Sequence, residues 1–255
     1  MSLTLTPLKD VPLINAGDNI AKLIQESLER DEIQLENNDI LVITQKIISK
    51  AENRLVNVHE IKPSKKAFRI SRRSNKSPAL IELILRESKE IVRLTKSTII
   101  VKHKLGFICA NAGIDHSNVK NESKGKENWY LLLPEDPSKS AEEIRRVIHA
   151  SSGKNIGVII IDSQGRPWRF GTVGMTIGCA NVPTLVDLRG KTDIFGYRLK
   201  ISVVAASDEL AAAASLIMGQ ADESIPVVHV RGFPYELRDS SMQEIIRPKE
   251  KDLFR

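Results

Sequence analysis

The run Ile156-Gly-Val-Ile-Ile-Ile161 constrains this chain more than any other stretch. It offers no polar side chain to water on either face, and it is too short for an ordinary buried helix. Its β-branched residues favour the extended form. It therefore predicts a central strand covered on both sides. The strand is expected to end at Asp162-Ser-Gln-Gly-Arg166. Asp162 has two readings there: a hard-oxygen metal ligand held over a site, or a cap on the turn before Gly165.

Further elements arrange themselves around that strand. Ile40-Leu-Val-Ile43, after the turn Asn37-Asn-Asp39, reads as a second buried strand. Strands are also predicted at residues 3–8, 91–94, 98–101, 129–133, 199–205 and 226–230, with a glycine-punctuated one at 168–180. Ile20, Leu23, Ile24 and Leu28 have the spacing of one helical face. Ser77-Pro78 starts a second helix, with Leu80, Ile81, Ile84 and Leu85 as its apolar side. Ser140-Ala-Glu-Glu143 reads as a capping box opening a helix through His149. An Ala-rich helix is expected from Asp208 to Met218, stopped by Gly219. Strands and helices mix without a βαβ rhythm, so the expected class is α+β, with mixed sheets and flanking helices. Residues 1–255 are read as one domain, with a charged tail over about 236–255.

Composition narrows the partners. The net charge is +6 and the pI about 9.3, which favours an anionic ligand. Much of the excess lies at residues 62–76, with Lys65, Lys66, Arg69, Arg72 and Arg73. A solvated helix face accounts for such a run. RNA binding is the alternative from another functional class, but only Phe68 could stack on a base there, so nucleic acid is disfavoured. No apolar run reaches the length of a membrane span, and no signal peptide is read at the start. Two widely separated cysteines, Cys109 and Cys179, make no disulfide framework and suit a cytoplasmic protein.

Two stretches carry chemistry. Cys109-Ala-Asn-Ala-Gly-Ile-Asp-His-Ser-Asn118 follows strand-like residues and is poor core material. Asp115 is a hard-oxygen ligand or an Asx turn cap. Gly113 permits a turn or a close approach, and Asn118 can donate and accept hydrogen bonds. In Thr44-Gln-Lys-Ile-Ile-Ser-Lys50, Lys46 and Lys50 are four apart and would share a helical face. Two ammonium groups there repel unless an anion lies between them, and a phosphate would serve. Residues 119–128 read as an exposed loop.

Val11-Pro-Leu-Ile14, Ile47-Ile-Ser-Lys-Ala-Glu52, Asn111-Ala-Gly-Ile-Asp-His-Ser-Asn118, Leu131-Leu-Leu-Pro134, Ile160-Ile-Asp-Ser-Gln-Gly-Arg166 and Leu216-Ile-Met-Gly-Gln220 occur in that order. Together they resemble the coenzyme F420-0:L-glutamate ligase family over nearly the whole chain. The resemblance implies an amide-bond ligase that uses GTP and magnesium or manganese, with potassium a further candidate. It would join L-glutamate to the lactyl carboxylate of F420-0 through an acyl phosphate and then extend the product through γ-linkages. It implies Asp115, Asp162 and Lys50 as the catalytic set. Metal would be held by Asp115, Asp162, Ser163 and Gln220, the last a position where some members carry Glu. Nucleotide would lie against Val11, Pro12, Leu13, Ile14, Gln45, Lys46, Lys50 and Asn118, with Met218, Gly219, Gln220, Ala221, Asp222, Glu223, Ser224 and Ile225 wrapping the base and ribose. It also implies two intimately connected subdomains and an intertwined homodimer. A paralogue that glutamylates another phosphorylated acid is the neighbouring reading.

Overall fold

The computed structural model describes residues 2–119 and 128–253. Most of the loop predicted at 119–128 lies outside the described residues. The architecture is mixed α+β. Its main sheet has the order β1-β12-β2-β8-β9, formed by β1 (Thr4–Pro7), β2 (Ile40–Thr44), β8 (Gly157–Arg166), β9 (Arg169–Ala180) and β12 (Val227–Arg231). The sheet's parallel pair is β2 and β8, with Ile43 opposite Ile160. The other three pairings are antiparallel.

Strand β8, expected at the centre of its sheet, is fourth of five, beside the edge strand β9, with both of its faces covered. Val158 and Ile160 face a core shared with α1 (Ile20–Arg30), α2 (Gln45–Ala51) and α5 (Pro137–Ser152). Ile159 and Ile161 face the other side, against α6 (Ala206–Met218). Each such buried isoleucine contributes about 2–5 kcal/mol against truncation to alanine. Two β9 glycines set the spacing of the layers. A Cβ at Gly174 would collide with the Ala211 carbonyl and with Ser215 of α6, and one at Gly178 would strike Pro137 of α5.

A second lobe sits between β2 and β8 in the chain. It holds the antiparallel pair β3 (Leu55–Asn57) and β7 (Trp129–Leu131). Beside it lies the three-stranded sheet β4 (Ser88–Leu94), β5 (Ile99–His103) and β6 (Ile108–Ala110). Helices α3 (Lys65–Ser71) and α4 (Pro78–Arg86) pack on that sheet through Ala67, Ile81 and Ile84. The short pair β10 (Val186–Asp187) and β11 (Val203–Val204) and the helix α7 (Met242–Ile245) complete the described elements.

Four expectations are corrected. Strand β8 does not end at Asp162; it continues through Arg166 because residues 162–166 pair with β9 in a long hairpin. Helix α5 starts at Pro137, three residues before the expected capping box: the Asp136 carboxylate accepts from the Lys139 amide at 3.1 Å, and proline suits the first turn. The Ser140 hydroxyl is turned instead to Glu52 and the Asp136 carbonyl. The strand expected at 199–205 shrinks to Val203–Val204. The start of α6 moves from Asp208 to Ala206.

Candidate active site

The parallel pair β2 and β8 ends on the same side, and a cleft of about 820 Å³ opens there. This is where open sheets with parallel strands place ligands. Beyond β2, helix α2 presents Lys46 and Lys50. From β8 come Asp162 and Ser163. The lobe contributes Asp115, which is clamped to β7 by reciprocal backbone bonds with Leu131 at 2.9 Å. The end of α6 and the loop to β12 supply residues 218–226, and the segment Val11, Pro12, Leu13 and Ile14 closes the rim.

Asp115 sits in a web of polar partners. Its carboxylate meets the Lys46 ammonium at 3.2 Å, the Gln45 amide at 3.4 Å and the Ser117 hydroxyl at 3.2 Å. Lys46 also donates to the Ser117 carbonyl and hydroxyl, at 3.3 and 3.0 Å. Asp162 has less support. Burial, and then the charge of Asp115, push its carboxyl up to about 7. At Cys109 burial, and then the charge of Asp162, raise the thiol to about 12 and leave it inert. Lys50 has no ion pair among the described residues; burial, and then Lys46, lower its ammonium from the usual range.

The turn that delivers Asp115 is strained. Asn111, Ala112 and Gly113 have φ of +50°, +57° and +63°. Three consecutive left-handed residues, one of them a buried alanine, persist only where surroundings hold them. The Asn111 side chain accepts from the Ile99 amide at 3.1 Å, and Leu133 lies where a Cβ on Gly113 would sit. On the far wall the Asn118 amide donates to the Ala221 carbonyl at 3.0 Å. The Ser163 hydroxyl donates to Gln220 Oε1 at 3.0 Å. At Gly219, φ is +70° and any side chain would run into the Glu223 carboxylate.

The cleft therefore gathers Asp115, Asp162, Ser163, Gln220, Lys46, Lys50, Asn118, residues 11–14 and residues 218–225 on one lining. Gln45 is the exception. It was expected on the nucleotide wall, but it is buried behind Asp115, with its oxygen accepting from the Ser49 hydroxyl at 2.8 Å. As the first residue of α2 it points inward. Sequence reasoning did not single out Ser117, His116 or Ser215, all on the lining. Ser117 could have been found, since it is two residues from Asp115 in the same polar block.

Two carboxylates and two lysines lie over the ends of parallel strands, faced by a polar loop, and the family comparison makes this charged cleft that of a ligase. Residues 9–232 match the family described as F420-0:Gamma-glutamyl ligase, and the chain belongs to that family. It is 44% identical to the coenzyme F420:L-glutamate ligase of Methanothermobacter thermautotrophicus over 257 residues, covering 100% of both chains. It is 44% identical to the enzyme of that description from Methanopyrus kandleri, covering 97% of each. The one from Archaeoglobus fulgidus is 40% identical, over 100% of this chain and 97% of its own.

Proposed function

We propose that the chain is a GTP- and divalent-metal-dependent ligase that adds L-glutamate to coenzyme F420-0 and extends the product through γ-linkages. The observation that carries this reading is the meeting of Asp115 and Asp162 in the cleft that also holds Lys46 and Lys50. A carboxylate is a poor electrophile because its oxide leaves poorly. In the proposed reaction the F420-0 carboxylate oxygen attacks the γ-phosphorus of GTP, the β–γ bridging bond breaks and GDP departs. The glutamate α-amine then attacks the acyl carbon, the bond to phosphate breaks, and inorganic phosphate and a proton are released.

The donor set fits a magnesium-like ion. Asp115, Asp162, the Ser163 hydroxyl and the Gln220 carbonyl are all hard oxygens. Among the described residues no three His, Cys, Asp or Glu side chains group so as to hold a metal ion; the proposed set has two carboxylates, one hydroxyl and one amide oxygen. Such a set leaves positions open, which suits an ion that also binds phosphate oxygens. The pressure on Asp162 to stay protonated is what a cation beside it would relieve. When bound, the ion would screen phosphate charge. Lys46 is committed to Asp115, so Lys50 is the cation left to orient the transferred phosphoryl group.

A second copy of the chain is the proposed cover for the exposed apolar surface near the hairpin tip and the 188–202 excursion. Phe170, Ile194, Phe195 and Ile201 are between 88% and 104% exposed, unusual for a lone domain. A homodimer would bury them. Among the described residues no helix is long and apolar enough to cross a membrane. The proposed reaction is placed in the cytoplasm.

The test is direct. Purified protein is mixed with F420-0, glutamate, GTP and manganese, and the products are weighed by mass spectrometry. A gain of one glutamyl unit with stoichiometric GDP is expected; no gain and no GDP would sink the reading.

A further inference from the structure

The chain's positive excess is confined to one segment. Residues 62–76 hold seven cations, among them Lys65, Lys66, Arg69, Arg72 and Arg73, and no acid. With those seven set aside, 31 cations face 32 acids in the remaining sequence. In α3 the buried Ala67 and half-buried Ile70 turn inward. Lys65, Arg69 and Arg72 rise on the outer side at helical spacing, all exposed. The Asn75 amide donates to the Lys96 carbonyl at 2.7 Å, which brings another exposed cation to the same edge.

Elsewhere, exposed cations commonly find a carboxylate: Lys22 with Glu26, Arg86 with Glu82, Arg189 with Asp187. None of the seven does so among the described residues. Clustered like charges repel, so a bare face of this kind is poised for a polyanion. Within it the Ser74 hydroxyl is buried without a partner. The face also backs onto the active site. Ala67 shares a core with Ala112, and Ile114 packs against that core; Gly113, Ile114 and Asp115 line the cleft.

We infer that this face holds the γ-glutamyl tail of the growing product. The inference rests on the proposed extension through γ-linkages. Extension occurs at the terminal γ-carboxylate, so each addition displaces the earlier units outward from the cleft. Every such unit carries a free α-carboxylate, spaced by five backbone bonds, or roughly 6 Å when extended. That is close to the ~5.4 Å per turn at which α3 repeats its cations. RNA is the less suited polyanion, because Phe68 is the lone exposed aromatic on α3.

The test uses the full chain and the variant with Lys65→Gln, Lys66→Gln, Arg69→Gln and Arg72→Gln, exposed positions whose change leaves the core intact. The probe is a γ-linked hexaglutamate, with a single-stranded RNA oligonucleotide of equal charge as the second arm. The variant is expected to bind the hexaglutamate about tenfold more weakly, four exposed ion pairs being modest individually. It should keep the kcat of the first addition to F420-0 and give shorter products. Equal hexaglutamate affinity in the two proteins overturns the inference, and so does RNA binding tighter than hexaglutamate at the same salt. If wild type adds no glutamate at all, the proposed function fails, while the hexaglutamate arm still decides whether the face is a polycarboxylate dock.

Discussion

Asp115 and Asp162 divide one task unequally. Asp115 is surrounded by Lys46, Gln45 and Ser117, whereas Asp162 is held by burial in a site that disfavours its charge. Replacing either with asparagine keeps the shape and removes a charge, and with it an anionic ligand of the proposed metal ion. For Asp162→Asn we expect turnover to fall about a thousandfold with an unchanged or higher melting temperature, because a costly buried charge is gone. Steady-state GDP release and a thermal melt in metal-free buffer check both halves; retained activity would reduce Asp162 to a strand residue. Residue types marked each acid as a candidate beside an apolar run but left a turn cap equally open; the family resemblance brought the two together, and lysines four apart share a face. The inward turn of Gln45 was not legible, since it depends on where α2 begins. Nor was the left-handed Ala112, because alanine gives no local signal of positive φ and is held there by Ile99 and Leu133 through its neighbours.

Elements position these side chains through close approach. Gly174 of β9 lies against the backbone of α6, and the residues after α6 form the wall from Met218 to Ile225. A valine at Gly174 would meet the Ala211 carbonyl, which cannot swing aside as a side chain could. Overpacking of this sort costs about 1–3 kcal/mol. Gly174→Val should therefore lower the melting temperature and raise the KM for nucleotide together. Loss of stability with an unchanged KM would show that α6 absorbs the shift without moving its loop. The long β8–β9 hairpin was missed for a related reason. Asp162-Ser-Gln-Gly-Arg166 looks like a turn when read locally, and its pairing with residues 169–175 is a non-local gain. At α5 two start signals competed, and Asp136 with Pro137 prevailed over Ser140 with Glu143.

Across the whole molecule, two buried clusters outside the cleft lining carry groups whose shifted titration is expected to make stability depend on pH. Asp39, at the start of β2, accepts from His229 at 2.8 Å and from Arg231 at 2.7 and 3.0 Å. Burial alone would raise its carboxyl, but Arg231 and His229 outweigh that and hold it well below the usual range. The folded state thus binds this proton less readily than the unfolded chain. The resulting stability is present above the ordinary carboxylate range near 4 and is lost as pH falls through the folded value. In the second lobe, burial lowers His103 from 6.5 to about 4 even though Glu87 is nearby. Its Nδ1 accepts from the Leu105 amide at 3.1 Å, a bond that protonation of that nitrogen would break. Stability from His103 is full above pH 6.5 and declines as pH falls toward 4. Neither cluster was legible as such, because its members lie far apart in the chain and meet only once the sheet order is set. Denaturant unfolding from pH 8 to pH 3 should show a two-stage loss in wild type. His103→Gln should flatten the stage between pH 6.5 and 4 and leave the lower one. Asp39→Asn should cost about 1–3 kcal/mol at neutral pH, since the buried hydrogen bonds to His229 and Arg231 lose their anion while the partly exposed Arg231 keeps Glu36, and should flatten the limb below pH 4. Unchanged slopes in both variants would place the acid sensitivity in groups other than Asp39 and His103.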